Sequence, residues 1–178
     1  NRARRIVDLL APKNDWTKED VGEMLYDVVS PTAPEVIKDF LSSLDAASFS
    51  ASEKKALTIL KNWNGFYGKE EVAPVIYNRF VYEFQKNTFA DEMGKSFDLF
   101  VNTPFIEKVL PVQAKRENSV WWDNVSTTAT TETKKDIILK SFKNAFGFLQ
   151  NQLGENVAYW TWDRVASVEY EHAIGNAG

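Results

Sequence analysis

Glu70-Glu-Val-Ala-Pro-Val-Ile-Tyr-Asn-Arg-Phe-Val-Tyr-Glu-Phe-Gln-Lys-Asn87 is the stretch that decides the class of fold. Val72, Val75, Ile76, Phe80, Val81 and Phe84 return every three or four residues, the repeat of one face of an α-helix. Pro74 stands in the first turn, where a missing N–H costs nothing. A half-buried strand would alternate at every second residue, and this segment does not.

The same period extends outward in both directions. Toward the N-terminus, Ala56, Leu57, Ile59, Leu60 and Trp63 follow Ser50-Ala-Ser-Glu53, which has the form of a capping box, and Asn64-Gly65 ends that helix. Pro31 and Pro34 punctuate the start of the preceding helix, whose buried stripe is Val36, Ile37, Phe40, Leu41 and Leu44. Before it, Thr17 and Asp20 cap a helix carrying Val21, Met24, Leu25 and Val28. A first short helix with Ile6, Leu9 and Leu10 on one face is closed by Pro12. Toward the C-terminus, short helices are predicted over 96–101 and 104–110, the second opened by Thr103-Pro104. Residues 111–130 are polar and Thr-rich and read as an exposed connection, anchored by Trp121-Trp122. A long helix is predicted from Thr131 to Leu153, with Ile138, Phe142, Phe146, Leu149 and Leu153 inside and Gly154 as its stop. Only 157–170 has the composition of an extended segment. The expected fold is all-α, an orthogonal helical bundle forming one domain over residues 1–178.

Composition narrows the function. With 44% hydrophobic residues in 178, the chain can bury a core without staples. The absence of cysteine excludes disulfides, Cys-ligated zinc and a thiol nucleophile. A net charge of −4 argues against a nucleic-acid partner, and no apolar run is long enough for a membrane partner to hold the chain as a helical span. Asn1 opens directly into an amphipathic pattern, and the far end stops just past an aromatic-rich segment. Both ends read as cuts through a longer polypeptide.

The residues carry little complete chemistry. The single imidazole, His172, reads as a structural hydrogen-bonder rather than a base. No ligand cluster has metal-binding spacing, so no cofactor is expected in this chain. Asp20, Glu23 and Asp27 lie at helical spacing and read as a solvated face. The tryptophans at 63, 121, 122, 160 and 162 suit either sugar- or acyl-binding walls or the core. On residues alone, a non-enzymatic helical module binding a glycan or protein partner stands beside an enzyme reading.

Four strings in order resemble the penicillin-acylase family of N-terminal-nucleophile amidohydrolases. They are Asn1-Arg-Ala-Arg-Arg-Ile6 with Asp8-Leu-Leu10; Met24-x-x-Asp27-x-x-Ser30-x-x-Ala33 leading into Phe40-Leu41-x-x-Leu44; Leu57-x-x-Leu60-x-x-Trp63-Asn64-Gly65; and Trp160-Thr-Trp162 with Glu171-His172-Ala-Ile-Gly175. Asp163, Ala166 and Ala173 depart from the family pattern.

The resemblance implies an internal piece of the large chain of a larger α+β hydrolase that cleaves an N-acyl amide, such as a penicillin, an acyl-homoserine lactone or a related compound. The implied nucleophile is a serine at the start of that large chain, its free α-amine acting as base. The implied partners are the rest of the acylase polypeptide (the small chain and the remainder of the large one) and the small-molecule N-acyl substrate. A calcium ion in the parent would be held outside this chain, and the protein would be periplasmic or secreted. The isolated chain would be inactive. One site residue is implied, Arg2, matching a family arginine that orients catalytic groups, with Arg5 as the alternative in register.

Overall fold

In the computed structural model, which describes residues 2–167, the chain is all-α. Among the described residues there are eight α-helices: α1 (Arg2–Leu10), α2 (Lys18–Leu25), α3 (Ala33–Leu41), α4 (Ala51–Lys61), α5 (Ala73–Met93), α6 (Phe97–Val101), α7 (Phe105–Lys115) and α8 (Lys134–Leu153). Short 3₁₀ turns lie between or after them, and the one extended pairing described is an isolated antiparallel bridge between Val29 and Phe66.

The fold is built around α5 and α8. Along α5, Val75, Ile76, Tyr77, Phe80, Phe84 and Phe89 are buried, a wider face than a surface helix shows, because other helices cover it on several sides. From α8, Ile137, Ile138, Phe142, Ala145, Phe146 and Leu149 pack inward. The aromatic rings form a continuous series: Phe40 lies 4.6 Å from Phe84 and 4.8 Å from Phe80, Phe80 5.5 Å from Phe142, and Phe146 5.2 Å from Trp160. These tilted and edge-on arrangements suit the ring quadrupoles. Asn87 donates to Ser141 Oγ at 3.0 Å and so satisfies polar groups inside the α5–α8 contact. Lys143 reaches from α8 to Glu53 of α4 at 2.8 Å and to the Ser48 carbonyl at 3.1 Å.

Helix starts follow local chemistry. Thr17 with Asp20, Ser50 with Glu53, and Thr133 with Asp136 are full capping boxes at the N-termini of α2, α4 and α8. The last of these sets the start of α8 at Lys134, three residues beyond the predicted Thr131. Gly154 stops it with φ of +91°.

Four expectations need correction. The helix predicted over 104–110 does not end at Pro111 but runs through it to Lys115. An interior proline removes a hydrogen bond and costs about 3 kcal/mol. Here burial of Leu110 and Ala114 against the core works against that cost. The stretch 111–130 is therefore divided. Its first five residues are helical; Trp122 is in the core, in the anchoring role expected of it, with Nε1 donating to the Glu117 carbonyl at 3.2 Å, and the exposed parts are 115–118 and 125–130. Over the described part of 157–170 there is no strand. Two 3₁₀ turns replace it, and Trp162 and Asp163 donate to the carbonyls of Glu71 and Lys69, each at 2.9 Å. Its buried residues, Val157 and Trp160, stand three positions apart, the spacing of a 3₁₀ turn that sets both against the core. Finally, α2 ends at Leu25, so Val28, expected on that helix, lies beyond it, where its carbonyl accepts from the Tyr67 N–H instead; neither α1 nor α2 buries a residue, and Leu25 is 68% exposed.

Candidate functional site

A cleft of about 1090 Å³ opens between the N-terminal helices and the α5–α7 side of the molecule. Each wall has its own origin. α1 contributes Arg2, Arg5, Ile6 and Leu9, which its helical period places on one side. The link from α2 to α3 contributes residues 27–30. α5 contributes Tyr77, Asn78, Val81, Tyr82 and Gln85, a stripe at i, i+4 and i+8. The first turns of α7 contribute Ile106, Glu107, Lys108, Leu110 and Pro111, and Trp162 lies at one edge.

Arg2, the orienting residue expected from the sequence, lies on this cleft, exposed at the start of α1. Its side chain makes no hydrogen bond to another described residue, while its charge helps to lower the Asp27 carboxyl. Arg5 is differently engaged. Its Nε donates to Asp27 Oδ1 at 2.8 Å and its terminal nitrogen to Oδ2 at 2.6 Å, a two-pronged ion pair spanning 22 positions of sequence. That hydrogen bonding holds the Asp27 carboxyl below its ordinary value, against the opposing effect of burial, and raises the Arg5 guanidinium. The guanidinium left without a hydrogen-bond partner at the cleft is thus that of Arg2.

Asp20, Glu23 and Asp27, expected on one solvated face, separate. Glu23 is exposed. Asp20 caps α2 and pairs with Lys13 at 2.5 Å, and those bonds take its carboxyl down to about 2. Asp27 lies beyond the end of α2 and belongs to the cleft.

The polar floor of the cleft was not foreseen. Gln85 is only 5% exposed, and its side-chain amide, which faces the cleft, makes no hydrogen bond within the described residues. The Tyr77 hydroxyl makes none either, and burial pushes its pKa well up, keeping it a neutral donor. Tyr67 accepts from Asn78 at 3.4 Å, and its ring stands edge-on to Trp162 at 5.1 Å. Pro111, with no N–H, cannot bond the Glu107 carbonyl one turn earlier. The sequence signal for this floor was a glutamine within the apolar side of α5.

His172 lies outside the described residues, as do Glu171 and Gly175. Ser30 Oγ, at the cleft, accepts from the Ala33 N–H at 3.2 Å just before α3. Among the described residues no three carboxylate or imidazole groups are arranged to hold a metal ion. Nor does an exposed tryptophan platform exist there: Trp63, Trp122 and Trp160 are buried, and Trp16, Trp121 and Trp162 are half-buried.

Two of the family strings meet in space. Met24-x-x-Asp27-x-x-Ser30 and Trp63-Asn64-Gly65 come together where Ser30 N–H donates to the Gly65 carbonyl at 2.8 Å and Tyr67 N–H to the Val28 carbonyl at 3.1 Å.

The family model for penicillin amidase matches residues 1–178. An acyl-homoserine lactone acylase QuiP from Pseudomonas fluorescens (strain Pf0-1) is 23% identical over 95% of this chain and 21% of its own length. The acyl-homoserine lactone acylase QuiP of Pseudomonas aeruginosa strain PAO1 is likewise 23% identical, over 96% of this chain and 22% of its own. The chain thus spans about a fifth of the length of these curated relatives. With the family match running from end to end, the chain belongs to the penicillin amidase family.

Proposed function

We propose that this chain is the helical arm beside the acyl-binding cleft of an amidohydrolase that cleaves an N-acyl amide, with Arg2 orienting the catalytic groups. The observation that carries the proposal is the position of Arg2. It is the exposed guanidinium on the cleft, in a chain that matches the penicillin amidase family throughout. Guanidinium has five N–H donors in a fixed fork, so it can hold a carbonyl or carboxylate in one orientation without itself giving up a proton. The nucleophile, its base and any calcium ion belong, in this reading, to the remainder of a secreted or periplasmic polypeptide. The substrate is an N-acyl compound: an acyl-homoserine lactone, as the relatives' names suggest, or a penicillin. The apolar walls from Ile6, Leu9, Val36, Val81 and Leu110 suit an acyl chain.

The test compares the isolated 178-residue chain with the complete processed protein on a chromogenic N-acyl amide. The complete protein releases the chromophore and the isolated chain does not; turnover by the isolated chain overturns the reading. Amine release from acyl-homoserine lactones and from penicillins, measured on the complete protein, then separates the two substrate classes.

A further inference from the structure

We infer that Asp27 is a positioning residue: through its ion pair with Arg5 it anchors α1 to the body and so sets where Arg2 stands at the cleft. The inference rests on the reading that Arg2 acts there.

α1 has no buried residue, so apolar packing alone does not fix its place. Two ion pairs tie it down. Arg4 to Glu35, at 2.9 Å, has both partners about half exposed, and a pair so open to water restrains little. Arg5 to Asp27 is more enclosed and has both carboxylate oxygens engaged, which fixes direction as well as distance. Arg2 and Arg5 are three positions apart, so restraint of one side chain's turn restrains the other's.

Asp27 itself stands on a rigid base. Its Oδ1 also accepts from the Val29 N–H at 3.3 Å. Val29 pairs with Phe66, and the flanking backbone bonds join 28–30 to 65–67. That second segment is held by Trp63, whose Nε1 donates to the Phe66 carbonyl at 2.8 Å and whose ring packs on Tyr77 at 5.3 Å. A continuous series of contacts therefore runs from the core, through Trp63 and the Gly65 turn, to Asp27, Arg5 and α1. Two of the family strings thereby share one structural role. The Asp27–Ser30 string and the Trp63–Gly65 string together build the footing for the Arg2–Arg5 helix.

The experiment uses the complete processed protein with a chromogenic N-acyl amide as probe. Arg2→Ala, Asp27→Asn and Arg5→Lys are assayed singly, with Arg2→Ala also combined with Asp27→Asn. Misplacing a catalytic group by an ångström can cost on the order of a hundredfold. The expected result is that Asp27→Asn lowers kcat about tenfold or more with KM little changed, and adds little to the loss already caused by Arg2→Ala. Arg5→Lys, which keeps the charge but not the fork, should fall in the same direction and guards against failure of Asp27→Asn to fold. Exchanging the pair, Arg5→Asp with Asp27→Arg, should recover part of kcat. If Arg2→Ala lowers kcat while folded Asp27→Asn and Arg5→Lys proteins do not, or if the losses simply add, the positioning role is overturned and the Arg2 reading stands. If Arg2→Ala leaves kcat unchanged, the reading beneath falls, and the inference with it. A melting temperature lowered by Asp27→Asn with kcat retained would mark the pair as structural only and would also overturn the inference.

Discussion

Gly65 is the residue on which the footing of the cleft turns. Its φ is +90°, and a Cβ built there would lie 2.2 Å from the Ser30 carbonyl oxygen. Both the backbone conformation and the close approach therefore require glycine. Gly65→Ala should lower stability by about 2 kcal/mol or more, read as a lower urea midpoint with an unchanged slope. An unshifted midpoint would mean that the 28–30 and 65–67 segments part without cost. Thr88 presents the opposite case. Its hydroxyl is fully buried and has no hydrogen-bond partner, a cost that the fold carries. Thr88→Val should therefore raise stability by about 1 kcal/mol, and a loss of similar size would show that the hydroxyl has a bonded role in the folded chain.

At the scale of elements, the helix starts depend on three charged side chains. Asp20, Glu53 and Asp136 each accept the N-cap N–H of their helix, and all three carboxyls are held below their ordinary values. For Asp20 the Lys13 hydrogen bond is the largest cause, and for Asp136 the Thr133 side chain. For Glu53 burial pushes upward, and bonds from Lys143 and Ser50 outweigh it. A lowered carboxyl means that the folded chain binds fewer protons than the unfolded one in that range, so stability rises with pH there. The contribution is complete above the ordinary values of 3.8 and 4.5 and is lost as pH falls through the lower folded values. Glu92 acts in the other direction: burial and its hydrogen bond with Asp91 push its carboxyl up to about 7, so its contribution grows as pH falls from 7 toward the ordinary 4.5. The melting temperature should accordingly rise slightly from pH 7 to about 5 and drop on further acidification; a profile without that drop down to about pH 3 would contradict the role given to the caps. Ser50→Ala should cost about 1 kcal/mol, seen in thermal unfolding at neutral pH. These caps were largely legible in sequence because a capping box spans only four residues. The end of α7 was not. Whether a helix passes through Pro111 depends on what Leu110 and Ala114 find on the far side, which local sequence does not state.

At the scale of the whole molecule, the α5–α8 pair holds the rest together. Phe142 is fully buried and meets Phe49 at 5.3 Å, Phe80 at 5.5 Å and Phe146 at 6.1 Å. Phe142→Ala should cost about 3–5 kcal/mol, measured by denaturant unfolding. Combined with Phe80→Ala it should fall short of the sum, since the two rings share one space. The burial of α5 and α8 contrasts with α1 and α2, whose apolar residues lie open or face the cleft.

Local sequence carried the all-α class, most of the helix positions, the capped starts of α2 and α4, and the family resemblance. Each depends on spacings of three or four residues, or on short strings that keep their order. The tertiary structure decided the rest. Arg5 and Asp27 lie 22 positions apart, and nothing local distinguishes Asp27 from a solvated carboxylate until α1 folds back beside it. The same holds for Gly65 against Ser30, for the unpartnered hydroxyl of Thr88, and for the apolar run after residue 157 that lies on the core rather than joining a sheet. A side chain's partner is set by where elements meet, and the free energy that brings them together is spread over the whole buried core.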